Sequence, residues 1–147
     1  MLSPFIQKLE FVHQFKMGNG DIDVLGKRQV MLPSELVSEL SKNDKFYGLV
    51  KKITKEEMGL YMSKVDGTQK NVKGLVEQVF DTFGLGKLKI NSMGKGRADA
   101  EISNSPVPGK SPLLRGVISG IFCYVLSKDV DAELKWEKSG ICSFIVK

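Results

Sequence analysis

Histidine and cysteine are scarce in this chain of 147 residues: it has one histidine, His13, and two cysteines, Cys123 and Cys142, 19 positions apart. Zinc sites are built from paired ligands at short spacing, such as C-x-x-C, so that spacing excludes an ordinary structural zinc site. The two cysteines are expected to be reduced thiols acting as small buried hydrophobes, because free cysteine is among the most buried residue types. Long apolar runs are missing too. The longest uncharged stretch, Gly116 to Ser127, has 12 residues, short of the roughly 18 that would span a bilayer. With no basic segment leading into an apolar one near the N-terminus, a cytoplasmic protein is expected.

Catalytic signatures are absent as well. The sequence has no G-x-S-x-G, no G-x-x-x-x-G-K-[ST] and no H-E-x-x-H, and no carboxylates spaced to share one site. Gly18-Asn19-Gly20 leads into strands and Gly94-Lys95-Gly96 joins two strands, so neither opens a helix in the way a phosphate cradle does. A protein that is not an enzyme, with neither metal nor cofactor, is the expectation.

What is present suits one ordinary domain over 1–147. Hydrophobic residues make up 41% and charged residues 27%, enough to bury roughly 68–70% of the unfolded surface at this length. The formal charge of +5 is uneven. Between Lys42 and Arg97 there are 12 basic residues against six acidic ones. Such an excess attracts nucleic acid or remains a solvated surface, and DNA binding through the basic middle and the 22–36 hairpin-helix is the alternative function. The stretch Gly26 to Leu36 looks like the swapped-hairpin element of AbrB-type DNA-binding proteins, although that element usually forms a small module of its own.

Patterning gives the element order. Ser3-Pro4 starts a helix over about 3–16, with 1–20 as helix and connection. Ile22, Val24, Val30 and Leu32 alternate around Leu25-Gly26-Lys27-Arg28 as a hairpin, and Pro33 opens a short helix with Leu36, Val37 and Leu40 on one face. Phe46, Leu49, Val50 and Ile53 form an apolar helical stripe. Thr54-Lys55-Glu56-Glu57 has the spacing of a capping box for a separate helix carrying Met58, Tyr61, Met62 and Val65. Thr68 caps an amphipathic helix with Val72, Leu75, Val76, Val79, Phe80 and Phe83, closed by Gly84 and Gly86.

A second hairpin turns at Met93 to Gly96. Ser111-Pro112 starts the most apolar helix, with Gly116 and Gly120 as small positions four apart, and a last hairpin turns at Lys138-Ser139-Gly140. Helices packed on an antiparallel sheet built from hairpins, an α+β fold, follow from this order.

The stretch from Ile22 to Val146 resembles the 4-vinyl reductase-like domain family, relatives of the Bet-type subunits of the TRAPP vesicle-tethering complex. Four places carry the likeness: Leu25-Gly26-Lys27-Arg28 running into Leu32-Pro33; Phe83-Gly84-Leu85-Gly86-Lys87-Leu88; the R-G-x-x-x-G helix, Arg115-Gly116 through Gly120; and the closing C-x-F strand, Cys142-Ser143-Phe144. Many members carry further cysteines where this chain reads Lys110-Ser111-Pro112 and Leu134-Lys135-Trp136, so the resemblance implies no cysteine-held metal here. It implies a mixed domain, often a homodimer, that holds a small hydrophobic molecule between helices and sheet as sensor or carrier. A scaffold or tethering subunit is the further alternative.

The residues supply a route to such a pocket. The helix at 111–127 offers Leu114, Val117, Ile118, Ile121 and Phe122, and the helix at 68–83 offers Val76, Val79, Phe80 and Phe83. These side chains either line an apolar cavity or interdigitate at native density. Arg115, in the first turn of its helix, is either a surface arginine or a guanidinium at the mouth, able to take a carboxylate or phosphate headgroup.

Overall fold

The computed structural model describes residues 6–8, 15–64 and 71–147. Residues 6–8 are helical, and most of the helix expected over 3–16, including His13, lies outside the described residues. Its C-terminal end is corrected: Phe15 and Lys16 belong to a strand, β1 (Phe15–Gly18), which pairs antiparallel with β2 (Asp21–Val24). A two-residue turn then leads to β3 (Lys27–Gln29), paired with β2. The turn residues Leu25 and Gly26 both have positive φ, +55° and +77°, as the twist of a tight hairpin demands. The Asp23 carboxylate accepts the Gly26 N–H at 2.9 Å, and Leu25 is fully buried.

Pro33, its φ held at −55° by the ring and its ψ extended at 138°, precedes α1 (Ser34–Leu40), of which no residue is fully buried. Then comes α2 (Phe46–Lys64), unbroken over 19 residues. The capping box expected at Thr54 is therefore overturned: Thr54 is buried in mid-helix. Tertiary packing decides this, because α2 turns Tyr47, Val50, Thr54, Met58 and Tyr61 inward and leaves Phe46, Leu49 and Ile53 of the expected stripe exposed.

The helix α3 (Val72–Phe80) is capped by Asn71, whose side chain accepts the Gly74 N–H. Thr68 lies outside the described residues. A 3-10 turn, Asp81–Phe83, follows and ends at Gly84, whose φ of +66° closes the helix.

The C-terminal half follows its sequence pattern closely. β4 (Lys87–Gly94) and β5 (Arg97–Ser103) form a hairpin, α4 (Pro112–Val125) begins with proline in its first turn, and β6 (Ala132–Lys138) and β7 (Ile141–Val146) form the last hairpin. The sheet runs β4-β5-β7-β6, antiparallel throughout. β1-β2-β3 make a separate sheet, so the fold is α+β with two antiparallel sheets where one was expected. α4 packs most closely on α2, and α3 lies on the edge strand β4. There the Glu77 carboxylate accepts the Ile90 N–H at 2.7 Å beside a bulge in the strand.

Candidate ligand site

Alternation on β4, β5 and β7 aims Leu88, Ile90, Ala98, Ala100, Ile102, Cys142, Phe144 and Val146 at the helices. The apolar helix faces meet them. Of the expected site residues, Val76, Phe80, Leu114, Ile118, Ile121 and Phe122 have no exposed surface and share one core with Leu25, Met58 and Val79.

Phe83 is only half-buried, and it organises an aromatic group at the edge of that core. Its ring meets Phe80 edge-on, 5.9 Å between centroids at 88°, and Tyr61 of α2 at 5.9 Å and 54°. Both arrangements suit the positive edge and negative face of aromatic rings. Tyr61 is buried up to its hydroxyl, which accepts a hydrogen bond from the Gln29 side chain at 3.1 Å. Burial raises the Tyr61 pKa above its ordinary value, with Gln29 opposing the rise and Glu57 adding to it. Tyr61 and Gln29 are not among the expected site residues; the sequence signal for Tyr61 is its place in the stripe with Met58 and Met62.

Arg115 stands apart from this group. Its guanidinium lies 5.2 Å from the centre of the Tyr47 ring and its Nε donates to the Ala132 carbonyl at 3.1 Å. Tyr47 precedes Tyr61 by fourteen residues, about 21 Å along α2. The eight expected residues thus comprise seven apolar ones on α3, α4 and the 3-10 turn, Leu114 among them directly before Arg115, and an arginine packed on Tyr47 at the opposite end of α2 from Tyr61.

Around Arg115 the structure builds a polar knot between α2, α4 and the start of β6. Lys51 reaches Asp131 at 2.7 Å and Asp129 at 2.8 Å. The Tyr47 hydroxyl donates to the same Asp131 carboxylate and lies 2.9 Å from the Ser119 hydroxyl, which accepts the Ala132 N–H at 2.8 Å. Burial works against the Lys51 charge, but the two carboxylates outweigh it and push its pKa up. Lys51 in turn holds the Asp131 carboxyl below the usual range. Burial, then Asp131, raises the Tyr47 pKa.

Both cysteines are buried and free. The Cys142 thiol is pushed up to about 11 by burial and then by the nearby Glu137 carboxylate, so it remains protonated at neutral pH. Among the described residues no three His, Cys, Asp or Glu side chains converge as a metal site, and no helix is long and apolar enough to cross a membrane. An open cleft of about 500 Å³ lies on the first sheet, lined by Lys16, Met17, Asn19, Asp21, Ile22 and Arg28 among others; sequence patterning did not mark it.

The whole chain superposes on a solved sensory domain. That structure is the phenol-responsive sensory domain of the transcription activator PoxR with phenol, at a TM-score of 0.71 and 11% sequence identity, covering 100% of this chain and 91% of that one. The two share a fold. No protein-family model matches the chain, and no curated protein sequence is similar to it.

Proposed function

We propose that the chain is a non-enzymatic, cytoplasmic small-molecule-binding domain of the 4-vinyl reductase-like kind, a sensor or carrier of a hydrophobic ligand that works as a homodimer. The observation that carries this reading is the likeness of the fold, over the full length of the chain, to a domain described as responsive to phenol.

The ligand is a small apolar or aromatic molecule. It enters beside Phe83 and Tyr61 and is held by Val76, Phe80, Leu114, Ile118, Ile121 and Phe122. These six side chains are packed with no exposed surface, so in this reading the ligand is admitted by movement of the half-buried Phe83 and is then held by apolar contact. In this reading the Gln29–Tyr61 hydrogen bond offers the polar group that fixes orientation. Arg115 positions α4 against Ala132 and leaves the ligand to the aromatic end.

Calorimetry and thermal unfolding with phenol, longer alkylphenols and medium-chain fatty acids test this. At least one of these classes binds and raises the midpoint, and Phe83→Ala weakens that binding about tenfold. No binding and no stabilisation by any of them contradicts the reading.

A further inference from the structure

Among the described residues, large apolar side chains are exposed chiefly in one stretch of the chain. Val30, Met31, Leu32, Leu36, Leu40, Phe46, Leu49, Ile53 and Leu60 are each 42–82% exposed. Summed over the nine residues, their exposed surface is on the order of 800 Å², about one partner's share of a standard interface.

The two helices in this stretch carry complementary patterns. On α1, Leu36 and Leu40 stand one turn apart with Glu35 and Glu39 on one flank. On α2, Phe46, Leu49, Ile53 and Leu60 fall within an arc of about 60° at 100° per residue, with Lys52 and Glu56 on the flank of the same hand and Lys45 in the turn just before the helix. Lys45 and Lys52 make no ion pair among the described residues, whereas Glu39 is paired only with the exposed Lys42. Flanks of the same hand face each other when two helices cross antiparallel. The Leu36–Leu40 spacing then matches the Leu49–Ile53 spacing, about 6 Å each.

We infer that this face is the interface between two copies of the chain: α1 of each protomer lies antiparallel on α2 of its partner, leucines interdigitated and Glu35 and Glu39 against Lys45 and Lys52. A two-fold axis makes the contact twice. The inference rests on the homodimer in the proposed function and adds where the second copy sits. It is independent of the ligand.

Sedimentation velocity with light scattering tests it on the full chain. Wild type sediments as a dimer. Leu49→Glu with Ile53→Glu, both at exposed positions, gives a monomer with the wild-type circular-dichroism spectrum and a midpoint that no longer depends on protein concentration. Glu35→Lys with Glu39→Lys, or Lys45→Glu with Lys52→Glu, each weakens the dimer about tenfold or more, and all four together restore it.

A dimer indifferent to these changes overturns the interface and leaves the homodimer standing. A monomeric wild type overturns both, as does a monomer that binds phosphatidylglycerol vesicles through this face. Ligand binding, measured on the same samples, reports separately on the pocket.

Discussion

A β-carbon on Gly120 would lie 2.6 Å from the main-chain carbonyl oxygen of Lys51. The same position would press on the Thr54 side chain at 2.6 Å, and Gly116, one turn earlier, would meet Val50 at 2.9 Å. The two glycines are thus the surface along which α2 crosses α4, and backbone cannot move aside as a flexible side chain can. Gly120→Ala is expected to lower stability by about 2–3 kcal/mol in chemical denaturation, through overpacking. A loss below about 0.5 kcal/mol would show that the helices separate easily.

Leu25 sets strain against burial. Its positive φ is unfavourable for a leucine, yet its side chain is fully buried beside the core. The burial wins, so Leu25→Ala, which keeps the strain and removes the packing, costs about 3 kcal/mol. Urea unfolding measures this; a neutral outcome would mean that the hairpin is not anchored by its turn.

The Lys51–Asp131–Tyr47 knot makes stability depend on pH at both ends. Lys51 and Tyr47 have folded pKa values above their ordinary 10.5 and 10.0. The unfolded chain therefore loses these protons first as pH rises, and their contribution, full below pH 10, is lost above it. Asp131 is shifted below 3.8, so its contribution is full above that pH and is lost as pH falls through the folded value. Lys51→Met flattens the alkaline limb and Asp131→Asn the acid limb of melting temperature against pH. Unchanged limbs would remove the knot from the account.

How much of this was legible in the sequence varies by region. The elements from Lys87 onward were, because glycine-marked turns and strict alternation point the same way, and the apolar α4 has one helical reading. The first half was harder. Thr54 sits in a local capping pattern, yet the backbone of Gly120 makes room for it inside a continuous helix, and a contact between residues 66 positions apart leaves no local trace. The same contact rotates α2, so that Tyr47 and Met58 go inward in place of Phe46 and Ile53. Phe15 fits a short helical spacing as well as a strand, and pairing with Val24 decides for the strand. Apolar spacing marked side chains that pack together in the core around Phe80 and Ile118. It did not find Tyr61 with its Gln29 partner, nor that Arg115 is committed to Tyr47 and Ala132.

Arg115 provides a test that separates fold from ligand. Its hydrogen bond to the Ala132 carbonyl and its place over Tyr47 predict that Arg115→Gln costs about 1–2 kcal/mol of stability. Affinity for an apolar ligand at the aromatic end is expected to stay within twofold of wild type by calorimetry. A selective loss of affinity for carboxylate-bearing ligands would instead place the headgroup at Arg115.

Native mass spectrometry of freshly purified protein, beside a denatured and extracted sample, tests the central claim most directly. The account predicts a dimer carrying a small apolar molecule that is released on denaturation, or a dimer that takes up such a molecule when it is added. A clean apo mass that no phenol, alkylphenol or fatty acid shifts would contradict the assignment of this domain to small-molecule binding.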